Sequence, residues 1–119
     1  MKKVFAGAVL ACLLIQDAFA IDCANAVTTI DMKECASADL QKADKALNAT
    51  YRKLMAKLDD KISKEKLKKA QKAWIAFRDA NAEFGADEVR GGTMEGLIYM
   101  GTVTYMTEQR EKELASYLK

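Results

Sequence analysis

Apolar positions recur along the chain at helical intervals. Between about residues 28 and 59 the seam runs Leu40, Leu47, Tyr51, Leu54 and Leu58, in steps of seven, four and three that keep these side chains on one helical face. Asp59-Asp60-Lys61 breaks the pattern, and Ser63 is placed to cap a second helix. That helix carries Leu67, Ala70, Trp74, Phe77, Ala80 and Phe84 on its apolar face. Gly85 and Gly91-Gly92 bracket a polar loop, Thr93 can cap a third helix, and Leu114, Tyr117 and Leu118 close it. No alternation of apolar and polar residues lasts long enough to make a strand. The prediction is an all-α fold, a small antiparallel three-helix bundle running up, down and up through short connections.

Composition agrees with this and narrows the chemistry. The 119 residues hold no proline and six glycines, so few breakers interrupt the helices. Half the residues are apolar and 30% are charged, the balance of a single globular domain. There is no histidine, which removes every mechanism that needs an imidazole base, nucleophile or ligand.

The first twenty residues read as a transport signal. Lys2 and Lys3 precede an apolar run over 4–15, too short for a hydrocarbon core that needs about 20 residues. Ala18-Phe19-Ala20 supplies small residues for a signal peptidase, so cleavage is expected after Ala20, with 21–119 as the mature domain. Lipidation at Cys12 fits poorly, because the apolar run continues past it. The expected destination is the bacterial periplasm, with no membrane-spanning segment in the mature chain. Export removes Cys12 and leaves Cys23 and Cys35, an even pair in an oxidising compartment and hence a disulfide. Two thiols without histidine cannot complete a zinc shell, and nothing in the sequence calls for a metal or cofactor. The disulfide staples the segment before the first helix back onto it.

Polar residues on the helical seams require partners. Asp44, Asn48, Gln71, Arg78, Asp79, Thr107 and Arg110 lie on or beside the apolar faces, where opposite charges suggest an ion-pair and amide network that sets the register. The rival reading makes Asp44 or Asp79 a general base. It lacks a second acid, nucleophile or metal at recognisable spacing, so a non-enzyme is expected.

Charge is distributed unevenly. From Arg52 to Lys72 nine basic residues face three acidic ones. The opposite end of the bundle gathers Asp22, Asp31, Glu34, Asp39, Glu83, Asp87, Glu88 and Glu95 against Lys33 and Arg90. One pole is basic and the other acidic, a distribution that serves either plain solvation or the docking of a charged partner. Nucleic acid is excluded as that partner by compartment and by the lack of interleaved aromatic residues at the basic tip.

Four stretches together resemble the LprI-like family of small secreted helical domains, named after a mycobacterial lysozyme-inhibitor lipoprotein. They are Asp44 to Tyr51, Gln71 to Asp79, Gly91-Gly92-Thr93, and Thr107-Glu108-Gln109-Arg110, following the cysteine pair. Many members carry a second cysteine pair at places that look like Ala82 and Thr102 here, and a leucine where this chain has Met106. The resemblance implies a periplasmic binding protein that inhibits lysozyme. The candidate contact is the loop from Gly85 to Gly92: Arg90 would reach a carboxylate of the enzyme cleft, while Asp87 and Glu88 meet its basic rim, with Glu83 and Glu95 beside them. Two alternatives stand: a module that antagonises another secreted partner, and a structural envelope protein. The oligomeric state is left open.

Overall fold

The computed structural model describes residues 22–119. The expected signal and cleavage position lie outside the described residues. After a 3₁₀ turn at Cys23–Asn25 come three helices: α1 (Thr29–Lys57), α2 (Lys61–Ala86) and α3 (Glu95–Ser116). Among the described residues there is no strand.

Local chemistry sets the helix ends. Thr28 caps α1, its hydroxyl accepting the Asp31 N–H at 3.1 Å. α2 starts earlier than expected, with Asp60 as its cap: the carboxylate accepts the Ser63 N–H at 2.8 Å, so Ser63 is the capped residue and not the cap. Hydrogen bonds from the Ser63 side chain and backbone hold the Asp60 carboxyl below its ordinary range. Thr93 does not cap α3 either. Met94 takes that position without a side-chain bond, and Glu95 instead reaches back to the Gly91 N–H at 2.8 Å. Gly85, expected in the loop, lies within α2, where a Cβ would meet Thr102 Oγ1 of α3 at 3.8 Å.

Side-chain pairings fix the topology. Thr50 meets Glu111, and Lys57 meets the Tyr117 carbonyl, so α3 runs parallel to α1. Arg78 meets Thr107 and Gln71 meets Arg110, so it runs antiparallel to α2. The up-down-up bundle is therefore present, with one difference in packing. α1 and α2 are consecutive, yet each rests mainly on α3 and they share little direct backbone contact. The core lies where the three converge: Leu47 and Leu54 of α1 with Leu114 of α3, flanked by Tyr51, Leu67, Trp74 and Leu118. The Cys23–Cys35 disulfide, with Cα atoms 5.7 Å apart, pins the 3₁₀ turn onto the start of α1.

The face of α2 that meets α3 is not the one its apolar residues suggest. Gln71, Ala82 and Ala86 are buried, and Trp74 and Arg78 are half-buried. Phe77 is 62% exposed and Phe84 79%, and Ala70 and Ala80 are exposed too. Phe77 and Phe84 are thus not core. The physical reason is polar. Trp74 is flanked by two guanidinium groups, Arg78 at 5.2 Å and Arg110 at 5.9 Å from its ring centre. Those arginines find their acceptors on the same side. Arg78 donates to Asp79 (2.9 Å) and Thr107 (3.3 Å) and lies 3.6 Å from Asp44 of α1. Arg110 donates to Gln71 at 3.0 Å and pairs with Glu113 at 3.0 Å. Rotating α2 to bury the phenylalanines would strand these groups without partners.

Candidate functional site: an acidic groove at one pole

The end of α2, the connection to α3 and the starts of α1 and α3 converge at one pole. Ala86 is buried and anchors the end of α2, and Asp87–Val89 continue as a 3₁₀ turn. The Gly92 N–H then bonds the Val89 carbonyl at 2.9 Å. Gly91 adopts φ +77°, the left-handed region that glycine reaches without steric cost. At Gly92 a Cβ would come within 3.1 Å of the Val89 oxygen. The two glycines therefore make a tight reversal possible, but the segment from 85 to 92 is mostly helix and 3₁₀ turn and not an extended protruding loop.

This reversal walls an open groove of about 620 Å³. Glu83, Asp87, Arg90 and Glu95 line it, joined by Lys33 of α1 and Tyr99 of α3. Four of the five residues that sequence reasoning assigned to a partner contact thus share one concavity. Glu88 is exposed but does not line it. Arg90 differs from expectation as well. Its Nε and Nη2 donate to the two Asp87 oxygens, both at 2.7 Å, in a bidentate pair. That hydrogen bond raises the Arg90 guanidinium above its ordinary value. Arg90 is engaged within the molecule, and its role is to hold Asp87 in a fixed orientation. Glu95 is likewise held by the Gly91 N–H, and as a carboxylate in the first turn of α3 it sits favourably in the helix dipole. The groove therefore holds two oriented carboxylates, Asp87 ion-paired with Arg90 and Glu95 bonded only to a backbone N–H, with Glu83 exposed beside them and Lys33 in the same lining.

Lys33 and Tyr99 escaped sequence reasoning as parts of this site. Lys33 packs over Gly96, where a Cβ would stand in ordinary contact with Lys33 Cε at 3.6 Å. The available signal was the register, since parallel packing of α1 and α3 sets Lys33 level with Gly96. A second depression, of about 580 Å³, lies at the opposite pole between Leu54, Leu58, Leu67 and Tyr117, rimmed by Lys57 and Lys66.

The residues assigned to a polar network lie elsewhere. Asp44, Arg78, Asp79 and Thr107 meet at one point and Gln71 with Arg110 at another, while Asn48 is exposed on α1 and takes no part in these bonds. Thr107 Oγ1 also donates to the Val103 carbonyl at 2.7 Å. Sequence reasoning did not find the Thr50–Glu111 hydrogen bond (2.7 Å), which ties α1 to α3. Among the described residues no group of three or more carboxylates or thiols is placed to hold a metal ion.

Comparison with known proteins places this architecture. The family model for lysozyme inhibitor LprI matches residues 22–114. A protein of Rhizobium meliloti (strain 1021) described as uncharacterized is 36% identical over 110 residues, covering 82% of this chain and 79% of that protein. No solved structure shows a significant match. Two of the sequence departures noted above acquire a physical setting. Ala82 is fully buried, and Thr102 faces α2 at Gly85. Met106 accepts a hydrogen bond on its sulfur from Asn81 Nδ2 at 3.2 Å, which a leucine there could not do. With the family match spanning all three helices and the cysteine pair, the chain belongs to the LprI lysozyme-inhibitor family.

Proposed function

We propose that this protein is an exported periplasmic inhibitor that engages a lysozyme through the acidic groove. One observation carries the reading beyond family membership: Asp87 and Glu95 are held in place by Arg90 and the Gly91 N–H, on the wall of a single concavity. Animal lysozymes are strongly basic around their catalytic cleft, so oriented carboxylates suit their rim. Carboxylates fixed before contact lose little side-chain entropy on binding. Asp87 and Glu88 speed association with the basic enzyme, and Glu83 and Glu95 extend the acidic surface. Arg90 acts through Asp87 and does not insert into the cleft. Inhibition requires no chemistry, and we assign no catalytic role to Asp44 or Asp79.

The proposed signal over residues 1–20, removed after Ala20, and the Cys23–Cys35 disulfide support the export in this reading. Among the described residues no helix is long and apolar enough to cross a membrane. The test is a cell-wall lysis assay in which the oxidised protein is titrated against a hen-type lysozyme and a bacterial-type muramidase. Dose-dependent inhibition that weakens with salt and with the double variant Asp87→Lys, Glu88→Lys supports the reading. Absence of inhibition at high concentration refutes it and points to another secreted partner.

A further inference from the structure

One feature of α2 has no role in the fold or in the groove. Ala70, Ala73, Phe77, Ala80 and Phe84 follow one another at steps of three, four, three and four, and all five are exposed. This is the spacing of a seam that packs against another helix. The seam is turned away from α3, which is met instead by Gln71 and Arg78. Three alanines and two phenylalanines make it up, so a second helix could approach closely at the alanines and lodge between the phenylalanines.

We propose that this seam is the contact surface for a second copy of the chain, in a two-fold antiparallel pairing of α2 with α2. Charge selects both the occupant and its direction. The first half of α2 carries Lys61, Lys64, Lys66, Lys68, Lys69 and Lys72 against Glu65, while the second half and the following turn carry Asp79, Glu83, Asp87 and Glu88 against Arg78 and Arg90. A parallel pair would set like charges together. An antiparallel pair sets the basic half of one copy on the acidic half of the other. With Phe77 near the two-fold axis, Ala70 of one copy lies level with Phe84 of the other, and Lys69 lies about 3 Å along the axis from Glu83 on the same flank. Lys69 and Glu83 flank the seam on one side, and neither forms an ion pair within the molecule among the described residues. The surface is self-complementary in shape and in charge, as a two-fold interface requires.

The area sets the strength. A phenylalanine buries roughly 150–250 Å² and much of each ring here is open, so four rings and the alanines give an interface near or below about 1,200 Å² in total. That size suits a reversible, salt-sensitive dimer with a dissociation constant in the micromolar range, about 1–100 µM.

Sedimentation velocity on the protein purified after export, from about 1 µM to about 1 mM, reads the equilibrium directly. The expected result is a monomer–dimer transition that weakens with salt. Phe77→Glu and Phe84→Glu, both at exposed positions, keep the helical circular dichroism and raise the dissociation constant at least about tenfold, since each sets a charge against the apolar seam. Lys69→Glu weakens the dimer by like-charge contact with Glu83, and adding Glu83→Lys to it restores association. A protein monomeric at about 1 mM overturns the proposal, as does a dimer indifferent to Phe77→Glu. A swap that fails to restore association overturns the antiparallel direction. None of these readouts depends on lysozyme, so the outcome is independent of the proposed inhibitory function.

Discussion

Replacing Arg78 with methionine removes the guanidinium at the junction of all three helices and keeps most of the side chain's apolar stem. Its side chain is 15% exposed, and it binds in three ways. The stacking on Trp74, at 5.2 Å in a half-buried setting, contributes about 1 kcal/mol. The hydrogen bond to Thr107, a residue with no exposure, contributes about 1 kcal/mol. The carboxylates of Asp44 and Asp79 are 47% and 42% exposed, so solvent screening reduces each ion pair to about 0.5 kcal/mol. Together these come to about 3 kcal/mol. Methionine avoids the desolvation of a charged group and offsets part of that, leaving a net loss of about 2 kcal/mol. Lysine keeps the charge but loses the planar stacking and the forked donors, so Arg78→Lys falls in between, at about 1 kcal/mol. Urea denaturation followed by circular dichroism reads both: with a slope of about 1–2 kcal/mol/M, the methionine variant's midpoint falls by about 1–2 M. If both variants unfold within about 0.5 kcal/mol of the parent, the stacked arginine does not hold the helices together and the reasoning fails.

Three further outcomes follow from the same structure. Reduction of the Cys23–Cys35 bond, or Cys23→Ser with Cys35→Ser, removes a cross-link spanning 12 residues and lowers stability by about 3 kcal/mol, measured by urea titration of oxidised and reduced protein. Thr104 Oγ1 is buried without a hydrogen-bond partner, so Thr104→Val, which keeps the shape and deletes the hydroxyl, raises stability by about 0.5–1 kcal/mol; a lower melting temperature would contradict this. Asp60 has its folded pKa below the ordinary carboxylate value, so its capping contribution is present above that value and is lost as pH falls through the depressed one. Asp60→Ala therefore lowers the melting temperature at pH 7, and the gap to the parent narrows as pH falls below the ordinary carboxylate range.

The helices were legible in the sequence because their seams are long and periodic. Leu47, Leu54 and Leu114 lie in the core as their spacing predicts. The orientation of α2 was not legible. Its two stripes sit side by side on one helix: one polar and aromatic, through Gln71, Trp74 and Arg78, the other apolar, through Phe77 and Phe84. Hydrophobicity alone favours burying the second, and only the location of acceptors on α1 and α3 decides for the first. The helix starts were misplaced for a related reason. Asp60 and Ser63 are both good caps, and the choice between them depends on where the chain leaves α1. The acidic pole could be counted from sequence because charge clusters survive errors of a few residues. Its internal pairing could not, since the Asp87–Arg90 and Glu95–Gly91 bonds depend on the reversal that Gly91 makes possible.

Hydrogen–deuterium exchange of the oxidised protein with and without a hen-type lysozyme reports directly which pole the enzyme covers. Slowed exchange is expected at amides of residues 83–99, around the acidic groove, with residues 57–70 at the basic tip unchanged. Slowing confined to the basic tip, or none anywhere at saturating lysozyme, would contradict docking through the acidic groove.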